Sequence, residues 1–388
     1  MSPSPDVVVV GGGVVGAAVA YYLSLEGARV QILERQALGS GCSFHGTGMV
    51  ISNLRETQSK GPAFAINRAS RNLIGGVCGQ LAEETGTDTL YQERPMLLMA
   101  TSESELAQRK ADMQWVSQRG VQVRWLERDE VLALEPRTSP MVLGAVYEEG
   151  TAQVDGYRLT LAFAAAAEKR GATVRQREVV GLEWEGSRVT GVRTPTETVP
   201  CDAVVLAMGA SAGAASEWVG FPVPVRPLKG QILRLRLPGK PLDYFVNLLE
   251  LGTIVPRGDG LTSIGTSYEE TDDPQPTEDF KLRVLSRGME VLPCLDEAEV
   301  VEHLAGFRPL SADICPIIGP VPGWEGLHLA AGHGPWGIQL SPITGRLIAD
   351  LVLRGETAEP LAMEHYLPAR FEGFTPGPDS FRHLGWDD

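Results

Sequence analysis

The run Asp6-Val7-Val8-Val9-Val10-Gly11-Gly12-Gly13-Val14-Val15-Gly16-Ala17-Ala18-Val19-Ala20-Tyr21-Tyr22-Leu23 is followed by Gly27 and then by Val30-Gln31-Ile32-Leu33-Glu34. It reads as strand, glycine turn, helix and strand. Val7 to Val10 form the unbroken apolar run of a strand buried on both faces. Gly11 permits a tight turn, Gly13 lets the backbone approach a pyrophosphate, and Gly16 lets the helix pack close to the strand. Val14 and Val15 open the helix, where unpaired N–H groups and the helix dipole favour an anion. Glu34 ends the second strand about 20 residues on, where a carboxylate accepts hydrogen bonds from ribose hydroxyls. Arg35 follows it. The pattern is that of a dinucleotide site, and the fingerprint does not choose between NAD and FAD. The stretch Val7–Leu25 carries no charge, and Gly12-x-x-x-Gly16 mimics a membrane dimer motif. Three consecutive glycines would weaken a spanning helix, and Asp6 stands where a signal peptide carries basic residues.

The chain has 388 residues, enough for two domains of ordinary size. Hydrophobic residues make up 43% and charged residues 21%, as in a soluble globular protein with a sizeable core. A formal net charge of −15 argues against nucleic acid or an anionic membrane as partner. It leaves room for an anionic small substrate, because a local arginine can dominate a pocket. The cysteines, Cys42, Cys78, Cys201, Cys294 and Cys315, are scattered and form no CxxC, so neither a metal site nor a disulfide framework is indicated. With no targeting segment, the expected compartment is the cytoplasm.

Beyond Glu34, the small residues Gly39-Ser40-Gly41-Cys42-Ser43-Phe44-His45-Gly46-Thr47-Gly48 form a loop able to lie against a ligand. Helices are predicted for Ala63 to Glu84, Glu103 to Arg119, Tyr157 to Arg170, Asp279 to Leu292 and about Thr344 to Leu353. Met96 to Ala100 reads as a strand. Strands near Val174, Val180 to Trp184 and Val189 to Arg193 read as a small antiparallel excursion turned at Gly186-Ser187. Cys201 to Ala210 reads as a further strand of the first sheet, its C-terminal end at the ligand crevice. From Val223 the alternation in Gln231 to Leu237, Thr253 to Val255 and Leu261 to Gly265 predicts an antiparallel sheet with one wet face. Leu327 to Ala331 reads as a strand leading into Gly332-His333-Gly334-Pro335-Trp336-Gly337.

The order and spacing of several blocks resemble the D-amino acid oxidase superfamily of FAD enzymes, most closely its glycine oxidase, sarcosine oxidase and dimethylglycine oxidase branch. The blocks are the N-terminal fingerprint with Glu34, then Val204-Val205-Leu206-Ala207-Met208-Gly209-Ala210 and Ile254-Val255-Pro256-Arg257 with Gly260 and Ile264-Gly265. Gly306-Phe307-Arg308-Pro309, Asp313, Pro316-Ile317-Ile318-Gly319 and Ala331-Gly332-His333 complete them. The resemblance implies an α/β (α+β two-domain) fold with a p-hydroxybenzoate hydroxylase-like layout. A Rossmann-type FAD domain (1-95, 143-222 and 308-372) joins a mixed antiparallel-sheet substrate domain (96-142 and 223-307), and 373-388 forms a loose tail. It also implies FAD as cofactor and oxidation of a C–N bond in an amino acid or N-alkyl amino acid. Hydride would pass from the α-carbon to flavin N5, the imine would hydrolyse, and oxygen would take the electrons. Two other outcomes stay open: a dehydrogenase of an amino or 2-hydroxy acid serving a quinone or partner protein, and a non-catalytic FAD-binding subunit of a hetero-oligomer. Monomeric sarcosine oxidases carry a lysine for oxygen activation where Ser263 stands here.

Site residues follow from the same likeness. Along FAD it implies Gly11, Gly13, Val14, Val15, Gly16, Glu34, Arg35, Ser43, His45, Gly46, Val179, Ala207, Gly209, Gly332, His333, Gly334, Gly337 and Ile338. At the reacting end it implies Arg308, His333 and Trp336, with Arg308, Thr253 and Trp336 on the substrate. In similar enzymes the arginine of the Gly306-Phe307-Arg308-Pro309 block pairs with the substrate carboxylate, and a guanidinium fork meets two carboxylate oxygens at once; the other reading of Arg308 is an arginine that bridges two loops. Arg257 reads as structural. Thr253 stands where glycine oxidase-like proteins carry a carboxylate-holding tyrosine, and Gly334-Pro335-Trp336 stands after Gly332-His333 where they carry another arginine. Trp336 is either a cage wall or core packing. His333 either supports charge on the flavin or holds its turn. The setting of His45 resembles a block whose histidine is bonded covalently to the flavin 8α-methyl; covalent attachment and non-covalent packing both stay open.

Overall fold

The computed structural model describes residues 4–51, 62–249, 252–377 and 380–381. Of the expected tail, 378–379 and 382–388 lie outside these. Val7–Val10 (β1) sits between two parallel neighbours, Val30–Glu34 (β2) and Ala203–Leu206, with Val8 opposite both Gln31 and Val204. The six-stranded sheet runs Ile317–Pro320, Leu327–Ala331, Ala203–Leu206, β1, β2, Thr173–Gln176. Only Ile317–Pro320 is antiparallel to its neighbour. Helix Val14–Leu25 (α1) covers one face together with helices Gly156–Glu168 and Gly337–Arg354, burying Ala17, Ala18, Phe163, Ile343 and Leu347. Each large aliphatic side chain so buried contributes about 1.5–3 kcal/mol. Small residues set the helix spacing: a Cβ at Gly345 would stand 2.8 Å from the Ala18 carbonyl oxygen. The other face takes Leu182, Val189 and Val192 of a three-stranded antiparallel sheet, Gly181–Glu185, Arg188–Arg193 and Thr198–Pro200.

A second, eight-stranded sheet runs Glu299–Ser311, Val225–Arg236, Thr262–Gly265, Gly252–Pro256, Phe245–Leu248, Met96–Ala100, Gly144–Glu148, Val123–Glu127. It is antiparallel throughout except where Phe245–Leu248 meets Met96–Ala100. Helix Glu278–Val291 covers one face through Phe280 and Val284. The opposite face takes Val116 of helix Glu103–Ser117 and Ile51.

Four local expectations are corrected. The strand at Val174 belongs to the six-stranded sheet, paired in parallel with β2, and not to the antiparallel excursion. Gly144–Glu148, expected in the FAD domain, pairs with Met96–Ala100 in the eight-stranded sheet. The expected wet face is dry: Phe245–Leu248, Gly252–Pro256 and Thr262–Gly265 are buried along their whole length. Among the polar residues there, Thr253 Oγ1 accepts from the Asn247 side-chain amide at 3.0 Å, whereas Ser263 Oγ is buried without a hydrogen-bond partner. The last helix starts at Gly337, not near Thr344. Pro342 inside it conceals the true start, since proline removes an intrahelical donor. The Ser341 hydroxyl donates to the Ile338 carbonyl at 2.9 Å, serving the acceptor that Pro342 leaves without its usual partner.

Candidate active site

A cavity of about 950 Å³ is lined from both sheets, near the upper end of the roughly 300–1,000 Å³ typical of ligand sites. Part of its wall is the turn between β1 and α1. Gly11 has a φ of +108°, and a Cβ there would overlap the Ala207 carbonyl oxygen. A Cβ at Gly16 would overlap the Gly11 carbonyl oxygen, so this glycine serves helix–strand packing and does not line the cavity. Gly13 differs: the nearest atom to a Cβ there is Ser43 Oγ at 3.5 Å. What glycine leaves free at 13 is cavity. The Val14 N–H donates to Ser43 Oγ at 3.0 Å. The Glu34 carboxylate accepts from the Gly12 N–H at 2.7 Å and the Gln36 N–H at 2.8 Å. Arg35 donates to Ser211 Oγ at 3.1 Å. Val15, Val179, Ala207 and Gly209 complete this part of the lining.

Elsewhere the lining comprises Ser43, His45 and Gly46, then Met49 and Ile51, then His333, Gly334, Trp336, Gly337 and Ile338. Gly332 and Thr253 are not in it. Gly332 instead makes the bend before His333 at a φ of +69°. Arg257 is also outside the cavity, paired with Asp155 at 2.7 Å and Asp259 at 2.8 Å. Trp336 both lines the cavity and packs on the core around α1. His45 belongs to the short helix Cys42–His45 (α2). Its Nδ1 lies 2.9 Å from the Gly41 carbonyl oxygen. A carbonyl only accepts, so Nδ1 is the protonated nitrogen, and in the neutral ring the lone pair is then on Nε2. Helices α1 and Gly337–Arg354 both begin on the cavity with no side-chain cap and no acidic residue in the first turn.

His333 is 2% exposed, and its Nε2 lies 3.0 Å from Thr344 Oγ1. Burial pushes its pKa down to about 3, so the imidazole is uncharged at neutral pH. Below a pH of about 6.5 the unfolded chain binds a proton that the folded chain refuses. Stability from this group is therefore complete above that pH and is lost toward pH 3, by about 1.4 kcal/mol per unit. Urea unfolding followed from pH 7 to pH 4 is expected to show a shallower acid loss in His333→Gln than in the parent; equal slopes would contradict the assignment.

Arg308 lies in strand Glu299–Ser311, lines the cavity and is 9% exposed. Its Nη1 donates to the Ser267 carbonyl at 2.9 Å and the Lys229 carbonyl at 3.3 Å, and its Nη2 to Thr266 Oγ1. The Tyr268 ring centroid is 4.5 Å from its Cζ. Of the five N–H donors of a guanidinium, these bonds leave Nε–H and one Nη2–H. Arg308 has no carboxylate partner among the described residues. Sequence reasoning missed Tyr268, Thr266 and Gly230 around it. Their loop and strand carry no motif, and the register that assembles them is long-range.

The chain matches the family model described as "FAD dependent oxidoreductase" over residues 6–351. It is 35% identical over 360 residues to the glycine oxidase of Geobacillus kaustophilus, covering 92% of this chain and 95% of that protein. The crystal structure of a glycine oxidase from the same species superposes with a TM-score of 0.88 at 34% identity, covering 93% of this chain and 98% of that one. An iminodiacetate oxidase from a Chelativorans species gives a TM-score of 0.85 at 27% identity, covering 93% and 98%. Among the described residues no helix is long and apolar enough to cross a membrane.

Proposed function

The chain belongs to the family of FAD-dependent oxidoreductases, and on that premise we propose that it oxidises the C–N bond of an amino acid or N-alkyl amino acid. The single observation that carries the substrate class is Arg308, a nearly buried cation on the cavity wall with no carboxylate to pair with among the described residues. A buried guanidinium without a counter-ion is costly, and a substrate carboxylate would neutralise it through the free Nε–H and Nη2–H edge. The names of the relatives, glycine oxidase and iminodiacetate oxidase, support the same class.

The residues present suit FAD. Gly13 leaves open the space a pyrophosphate would take at the α1 N-terminus, and Glu34 has lone pairs left for ribose hydroxyls. The uncapped start of helix Gly337–Arg354 offers further N–H groups to an electron-rich ring. When bound, FAD supplies the two-electron oxidation. The protein's part is to hold the carboxylate at Arg308 and to wall the site with Met49, Ile51, Phe307 and Trp336, which limit water. Oxygen is the proposed acceptor, and five free cysteines fit a cytoplasmic setting.

The test is a panel of glycine, sarcosine, D- and L-amino acids and 2-hydroxy acids, mixed with the purified protein without oxygen and then in air. Amino acids are expected to bleach the flavin, and peroxide to appear in air. Bleaching by 2-hydroxy acids alone, or reduction of a dye without peroxide, would overturn the reading.

His45 Nε2 is the available nucleophile for a covalent flavin bond. Non-covalent retention is the state proposed here, so acid precipitation is expected to leave a colourless pellet of bare polypeptide mass. A pellet that stays yellow, and turns colourless in His45→Ala, would establish the bond instead.

A further inference from the structure

We infer that Lys229 and Gly230 are positioning residues that set the angle at which Arg308 presents its free edge to the substrate. This rests on the reading of Arg308 as the carboxylate-binding residue. In strand Val225–Arg236, Leu228, Lys229 and Gly230 lie opposite Arg308, Phe307 and Gly306 of the edge strand. The Arg308 guanidinium lies across Gly230: a Cβ there would overlap Nη1, Nη2 and Cζ together. No other residue leaves that path clear.

Side chains alternate along a strand, so Lys229 points away from the Gly230 side. It is 1% exposed. Its Nζ donates to the Gln275 carbonyl at 2.6 Å and lies 3.4 Å from Glu269 Oε2. Its main chain pairs with Glu269 in both directions, at 3.1 and 3.0 Å. Gln231, two residues on, donates to Glu269 Oε1 at 2.6 Å and accepts from the Thr277 N–H at 2.7 Å. The loop 266–277 is thus fastened to one strand near its start and at its end. The same loop supplies Thr266, Ser267 and Tyr268 to Arg308.

A buried ammonium is expensive, and an apolar side chain of the same length would pack there without that cost. What Lys229 adds is the fastening of the loop. Because Nη1 and Nη2 are committed to that loop, its position decides where Nε–H and the remaining Nη2–H point.

The experiment uses the holoenzyme and two variants, Lys229→Met and Gly230→Ala, with Arg308→Leu alongside. Acetate and acetamide are titrated against the flavin absorbance, and kcat and KM are measured for the best amino acid of the panel. A displaced fork loses its preference for a carboxylate over a carboxamide. Acetate affinity is expected to fall, and KM to rise, about 10- to 100-fold in both variants, the scale of a 1 Å misplacement. Acetamide affinity and kcat are expected to move far less. If Lys229→Met does not retain flavin, Gly230→Ala alone decides. Unchanged acetate affinity and KM in a folded variant, with Arg308→Leu impaired, would overturn the positioning role and leave the Arg308 reading intact. Equal loss of acetate and acetamide would mark general damage and also overturn it. Unimpaired Arg308→Leu would overturn both.

Discussion

Gly13→Leu is expected to fold and to purify without its flavin. The backbone at Gly13, φ −76° and ψ 178°, is one that any residue adopts. A Cβ there meets nothing closer than 3.5 Å. The leucine therefore costs the fold about 1 kcal/mol as a poor N-cap, while its side chain fills the space in front of the α1 N–H groups. Gly16→Leu is the contrasting control, because any Cβ at 16 strikes the Gly11 carbonyl oxygen. The first variant should keep the parent's far-ultraviolet circular dichroism and cooperative unfolding and lose the visible flavin absorbance. The second should not accumulate as folded protein. Stoichiometric FAD in folded Gly13→Leu would show that the cofactor does not approach the turn there.

Arg308→Leu should lower kcat/KM for carboxylated substrates by on the order of 2–5 kcal/mol, roughly 30- to 5,000-fold, the scale for removing one partner of a buried charge pair. The flavin spectrum should change little, since the residues proposed to hold FAD lie on other elements. Arg308→Lys separates charge from geometry: an ammonium restores attraction but not the planar fork. It should recover only part of the loss. Intact kcat/KM toward carboxylated substrates in Arg308→Leu would remove the substrate assignment. Loss of FAD in the same protein would point instead to a role in the fold.

These expectations differ in how far they could be read before the chain was folded. The Gly13 argument needs only Val7 to Glu34. There the buried strand, the turn, the helix and the acid are neighbours in sequence, and local geometry links each to the next. Helices Pro62–Thr85 and Glu103–Ser117 were legible for the same reason. The sheet assignment of Thr173–Gln176 and Gly144–Glu148 was not, because a short strand has the same local pattern whichever partner it finds. Nor was the dryness of the second sheet: alternation shows which side chains share a face, not what will later cover it.

The sequence by itself determined the nucleotide fingerprint, the alternating strands of the second sheet and the presence of an arginine in the Gly306-Phe307-Arg308-Pro309 block. Only the tertiary structure decided what that arginine can do. Its partners Thr266 and Lys229 lie 42 and 79 residues away. They are brought to it by the pairing of Val225–Arg236 with Glu299–Ser311 and by a loop fastened through a buried lysine. Hydrogen-bond partners so far apart are set by strand register, and register is fixed by the burial of whole faces, a property of the assembled sheets that no local run of residues contains.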